Sequence, residues 1–138
     1  MDVETLKSLL IKHEGFRKYP YVDTVGKVTI GVGHNLTDNG LSSVQVLNLL
    51  EDDIAATVAF LDAECPWFKD LDGVRQIAIA DMAFNLRERL LQFKNTIAAL
   101  ERKDWDAAAN GIESSLFAKQ VGKRAQDIAQ MIRTGELV

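Results

Sequence analysis

The 138-residue chain has one cysteine, two prolines and two histidines, and it contains no apolar run of the roughly 18 residues that a membrane helix needs. The lone Cys65 excludes an internal disulfide. With only His13 and His34 to join it, it cannot build a thiolate–imidazole metal cluster either. A free thiol of this kind is expected to be buried. The opening MDVETLKSLLIKHEG starts acidic and is amphipathic, so it does not read as a signal peptide. No phosphate-cradling glycine loop is present, which removes nucleotide chemistry, and no cofactor is expected. Repeats and low-complexity runs are missing too, so nothing divides the chain into independent domains. Excess positive charge is also lacking. A formal charge of −4 disfavours non-specific binding to nucleic acid or an anionic surface. A local basic patch is still possible where Lys119, Lys123, Arg124 and Arg133 gather near the C-terminus.

What is present is enough apolar material, 47% of the residues, to build a real core. The pattern predicts a helix over 2–13 with Leu6, Leu9, Leu10 and His13 on one face, stopped by Gly15. Arg17 to Val32 reads as a hairpin with Val28, Ile30 and Val32 alternating against Thr29, Gly31 and Gly33. Its turn is placed at Thr24-Val25-Gly26, which sets Asp23 opposite Lys27 and Tyr21 opposite Thr29. Asn35 to Leu41 is a turn-rich connector. Ser42 and Gln45 form a capping box for a long helix over about 42–62, ended at the latest by Pro66. Beyond it the chain reads as all-helical. Asp72 caps a helix bearing Ile77, Ala80, Asp81 and Phe84. Leu90 to Leu100 forms the next, with Leu90, Phe93, Ile97 and Leu100 inward. A short one runs from Asp104 to an Asn110-Gly111 stop. After a turn at Ser115–Lys119, Val121–Ile132 turns Ile128, Met131 and Ile132 inward. The expected fold class is therefore α+β and mostly helical, as one domain over 1–138.

Chemistry concentrates between His13 and His34. Glu14 falls at the negative end of a helix, where an ionised carboxylate is disfavoured. Asp23 follows nine residues later beside a turn. In the predicted register it is a diagonal neighbour of Thr29, about 7–8 Å away at the backbone, which leaves room for a water. Two such carboxylates are on most chains merely surface residues. Here the helix end, the turn and the shared hydroxyl favour cleavage of a glycosidic bond, with one carboxyl protonating the leaving oxygen and the other activating water.

This segment resembles the active-site stretch of the phage-type lysozymes, the endolysins of glycoside hydrolase family 24. The pattern stands here as Glu14-Gly15, Tyr21-Val22-Asp23-Thr24-Val25-Gly26 and Thr29-Ile30-Gly31-Val32-Gly33-His34. Looser similarity continues in order through Asp81–Leu86, Phe93–Thr96, Asp104–Ala108, Gly122–Ala125 and Arg133–Gly135.

The resemblance implies a lysozyme-like two-lobed fold: a β-hairpin lobe over about 15–41, a linking helix over about 42–62, and a helical lobe over about 66–138 together with helix 2–13. It implies a muramidase that cuts the β-1,4 bond between N-acetylmuramic acid and N-acetylglucosamine with inversion. Glu14 would be the general acid, with Asp23 and Thr29 holding the water. Arg124 matches an arginine that pairs with the catalytic glutamate. His34 matches a histidine that pairs with an acidic residue, Asp53 being the candidate, although a lone histidine is first of all structural. Asn35, Phe84, Asn85 and Thr96 fall where relatives bind saccharide, and the spacing of Phe84 suits a core position equally.

By the same analogy the partner is the peptidoglycan glycan strand, with no nucleic acid and no membrane insertion. The protein would be a monomer, made in the host cytoplasm, released through a holin and active at the cell wall in the periplasm. A lytic transglycosylase and a degenerate glycan- or protein-binding domain are the alternatives. Arg87-Glu88-Arg89, where the family pattern carries glycines, and the negative net charge are its departures.

Overall fold

A computed structural model describes residues 1–138 and divides them into two compact units, Met1–Leu49 and Leu50–Val138. In the first, Asp2 accepts hydrogen bonds from the amides of Glu4 and Thr5 and so starts α1, Val3–Glu14. Gly15 closes it at φ +83, so Glu14 is the last helical residue, as the sequence predicts. Strands β1 (Arg17–Val22) and β2 (Val28–Gly31) pair antiparallel, with Tyr21 opposite Thr29 and Val22 opposite Val28. The Asp23 amide donates to the Lys27 carbonyl at 2.9 Å, and Gly26 takes the left-handed position at φ +84. The predicted register and turn are those observed.

The connector is more ordered than expected. His34–Asn35 form β3, which pairs with β2 through Thr29–Asn35 and Ile30–His34, so the sheet has three strands. Asn35 then caps a four-residue helix, α2 (Leu36–Asn39), by accepting from the Asp38 amide. Ser42 and Gln45 make the reciprocal capping box for α3, Ser43–Glu64, and the boundary between the units falls inside this helix.

In the second unit a 3₁₀ turn over Pro66–Asp70 leads to α4, Gly73–Leu86, which Asp72 caps. The buried side of α4 is Ala78, Ile79, Met82, Ala83 and Leu86. Ile77, Ala80, Asp81 and Phe84, the face singled out in the sequence, instead line an open groove of about 350 Å³ with Leu50, Ile54 and Arg124. Both faces carry apolar residues at helical spacing, and periodicity alone does not choose between them.

Leu90–Leu100 is not one helix. A 3₁₀ segment covers Arg87–Gln92, the chain breaks at Phe93 (ψ +58), and α5 begins at Lys94 and runs to Glu101. Arg87 ends α4 at φ +53, a backbone geometry that favours glycine, in the stretch where the family pattern has glycine.

Helix α6, Trp105–Glu113, runs through Asn110-Gly111 rather than stopping there. Gly111 has an interior role: a Cβ at this position would overlap the Thr96 hydroxyl of α5. Helices α7 (Leu116–Val121) and α8 (Lys123–Thr134) complete the chain, and α8 packs against α4 and α6. Its Ile128, Met131 and Ile132 are buried as expected, within an apolar cluster that includes Leu61, Ile79, Met82, Leu100 and Ile112. Arg75 secures the last turn of α8. Its Nε donates to the Ile132 carbonyl at 2.7 Å, and the guanidinium stacks on Trp105 at 4.0 Å. Cys65 is buried, as expected, and burial followed by the charge of Glu64 pushes its thiol pKa upward.

Candidate active site

Glu14, Asp23 and Thr29 all lie in the first unit. Asp23 and Thr29 are tied to the same residue. Asp23 Oδ1 accepts from the Lys27 amide at 2.8 Å and from the Val25 amide at 2.9 Å. Thr29 Oγ1 donates to the Lys27 carbonyl at 3.1 Å. The hairpin therefore fixes both side chains through backbone groups, and Thr29, at 4% exposure, is the one buried residue of this unit. Asp23 Oδ2 accepts no hydrogen bond from the protein and is free for a ligand.

Because the Thr29 hydroxyl hydrogen is used on Lys27, what Thr29 offers outward is an acceptor lone pair. Glu14 approaches from the end of α1. Its carboxylate lies over Gly33, where a Cβ would come within 2.8 Å of Oε2.

The other positions have more local occupations. His34 Nε2 lies 2.6 Å from the Gly40 carbonyl, so its partner in the structure is a backbone oxygen of its own unit and not an acidic side chain. Asn35 uses both ends of its amide on Asp38, with the side-chain oxygen accepting from the Asp38 amide at 3.0 Å and Nδ2 donating to its carboxylate at 2.9 Å.

In the second unit, Arg124 is held by Asp81, with Nε donating to Oδ1 at 2.7 Å and a terminal nitrogen donating to the Asp81 carbonyl at 3.0 Å. Asp81, in the sequence only a point on an apolar stripe, is thus the partner of Arg124. A charge on that stripe is the signal that marks it. Phe84 lines the groove, and Asn85, the next residue, is exposed. Thr96 is buried against Gly111, which makes it a packing residue of the α5–α6 contact.

The C-terminal basic patch is largely neutralised. Lys123 pairs with Asp127, Arg124 with Asp81, and Arg133 with Glu113 and Asp106. The hydrogen bond that Arg133 donates to Glu113, ahead of the charge of the two carboxylates, holds Arg133 above its usual pKa. No three of the His, Cys, Asp and Glu side chains are placed to hold a metal, and no helix is long and apolar enough to cross a membrane.

The chain is similar to known sequences along nearly its whole length. The sequence model of the phage lysozyme family matches residues 11–133. The chain is 26% identical to "Probable T4-type lysozyme 2" of Dictyostelium discoideum, over 98% of this chain and 97% of that protein. It is also 26% identical to "Probable T4-type lysozyme 1" of the same organism, with the same coverage. A third similarity, at 25% identity, covers 96% of this chain but 28% of the "Pre-baseplate central spike protein Gp5" of Enterobacteria phage T4. With the match spanning nearly its whole length, the chain belongs to the phage lysozyme family, whose reaction is glycoside hydrolysis and whose substrate is peptidoglycan.

Proposed function

We propose that the protein is an N-acetylmuramidase that cleaves the β-1,4 bond between N-acetylmuramic acid and N-acetylglucosamine with inversion. The observation that carries this reading is the sharing of Lys27 by Asp23 and Thr29, which brings the two side chains to one residue and leaves Asp23 Oδ2 without a protein donor. Glu14 donates its proton to the glycosidic oxygen as that bond breaks. The water held by Asp23 and Thr29 attacks the anomeric carbon from the opposite side and passes one proton to Asp23 Oδ2. One proton enters the leaving group and one leaves the nucleophile, so the charge balances over the turnover. A direct displacement by water inverts the anomeric centre. Phe84, which lines the groove, and the exposed Asn85 that follows it in the chain are the second unit's candidates for saccharide contact. In the cell the enzyme acts as a monomer on the host wall, after synthesis in the host cytoplasm and release through a holin, to bring about lysis.

Replacing Glu14 by Gln keeps the shape and removes the transferable proton. Clearing of a cell-wall suspension should fall by at least about 100-fold, with the unfolding midpoint unchanged. Lysis at the native rate by that variant removes Glu14 from the mechanism. Muropeptide products with free reducing ends support attack by water, whereas 1,6-anhydro ends would assign the chain to transglycosylation.

A further inference from the structure

Two glycines flank Val32 where β2 passes to β3, Gly31 as the last residue of β2 and Gly33 in the turn, and both have positive φ, +68 at Gly31 and +65 at Gly33. Their surroundings differ completely. A Cβ on Gly31 would meet nothing within 4 Å. A Cβ on Gly33 would lie 2.8 Å from Glu14 Oε2, 3.0 Å from Cδ and 3.2 Å from Cγ. Backbone geometry therefore explains a glycine at both positions, but only at 33 does a neighbour also require one. That neighbour is the carboxyl group to which the proton transfer has been assigned.

We propose that Gly33 is a positioning residue for Glu14. Its bare Cα is the floor on which the carboxylate lies, and that floor sets where the acid's proton points. This rests on Glu14 being the general acid, as proposed above.

Energetics make the effect functional before it is structural. The obstructed atoms belong to the far end of a flexible side chain, which can swing aside at small cost in stability. Swinging aside moves the carboxyl group by an ångström or more. A misplacement of that size costs an acid far more in rate than it costs the fold, since proton transfer requires hydrogen-bond distance to the leaving oxygen. The loop itself cannot shift to compensate without breaking the Ile30–His34 pairing that closes it.

The test compares G33A with G31A, which place alanine at nearly equal positive φ with and without the obstruction. Both should lower the unfolding midpoint by similar amounts. In G33A we expect kcat to drop by about 10-fold or more with KM within about twofold of the native value, and a crystal structure should show the Glu14 carboxylate displaced. G31A should keep a clearly higher kcat than G33A. The proposal is overturned if G33A turns over within about threefold of the native rate, or if G31A loses as much kcat as G33A, which would assign the effect to the strained loop.

Should G33A fail to fold, the pair E14A/G33A decides. With the Glu14 side chain gone it should fold as well as G31A, and continued failure to fold refutes the steric account. An active E14Q enzyme would instead overturn the general-acid reading while leaving the Gly33–Glu14 contact to be judged by the structure of G33A.

Discussion

The two units solve the problem of holding a side chain still in different ways. Leu50–Val138 does it by packing: Leu61, Ile79, Met82, Leu90, Ile112, Ile128 and Ile132 are all excluded from water in one apolar cluster. Met1–Leu49 buries Thr29 and no other residue. What fixes Asp23 and Thr29 there is the backbone of a tight hairpin, through the Lys27 peptide and the turn at Gly26. Reactive groups need access to substrate, and access is incompatible with burial in a core. Short strands and turns supply order without enclosure. The comparison also implies that local opening costs less in the first unit than in the second, since few apolar contacts resist it.

The largest effect that sharpens this contrast is the loss of activity in Glu14→Gln at native stability. Its counterpart is Ile128→Ala in the middle of the apolar cluster. Removing that side chain should cost about 2–5 kcal/mol in denaturant unfolding, while activity per folded molecule stays near native. A large activity loss at full folding would break the division of labour between the units.

Arg87→Gly relieves a backbone that only glycine adopts freely, so it should raise stability by about 1 kcal/mol or more in the same assay, with a small entropic offset. The smallest effect is at the start of α4. Burial pushes Asp72 upward, but the hydrogen bonds and charge of Arg75 outweigh it and hold the carboxyl below its usual pKa. A depressed folded-state pKa stabilises above the unfolded value of 3.8 and is lost as pH falls through the folded one. Asp72→Ala should therefore cost about 1 kcal/mol at neutral pH, and the gap from native should narrow below about pH 4 in thermal melts.

Much of this architecture is legible in the sequence. The start of α1 at Asp2, its stop at Gly15, the turn at Gly26 and the Ser42–Gln45 box are local signals with local causes, and each stands where the sequence places it. The Tyr21–Thr29 register follows from the turn, and with it the closeness of Asp23 to Thr29. What sequence does not supply depends on contacts far along the chain. The strand His34–Asn35 is two residues long, too short for a period to show, and exists because β2 offers it an edge. Phe93 interrupts an apolar spacing that reads as continuous. Gly111 looks like a helix stop until Thr96 is found against it. Arg124's bond to Asp81 joins residues 43 apart, and His34's use of the Gly40 carbonyl carries no mark in the sequence at all.

Lys27 leaves one more consequence. The parts of it that matter to the site are its amide hydrogen and its carbonyl oxygen, which every residue but proline possesses. Its ammonium group reaches outward to Asp38 at 3.0 Å, a half-exposed pair that contributes little. The residue to which Asp23 and Thr29 are both bonded is thus nearly free to vary in side chain. A search for function by residue identity would pass over position 27, although no other position is bonded to both Asp23 and Thr29. What position 27 requires is a conformation rather than a particular side chain, and proline is the one substitution it forbids outright.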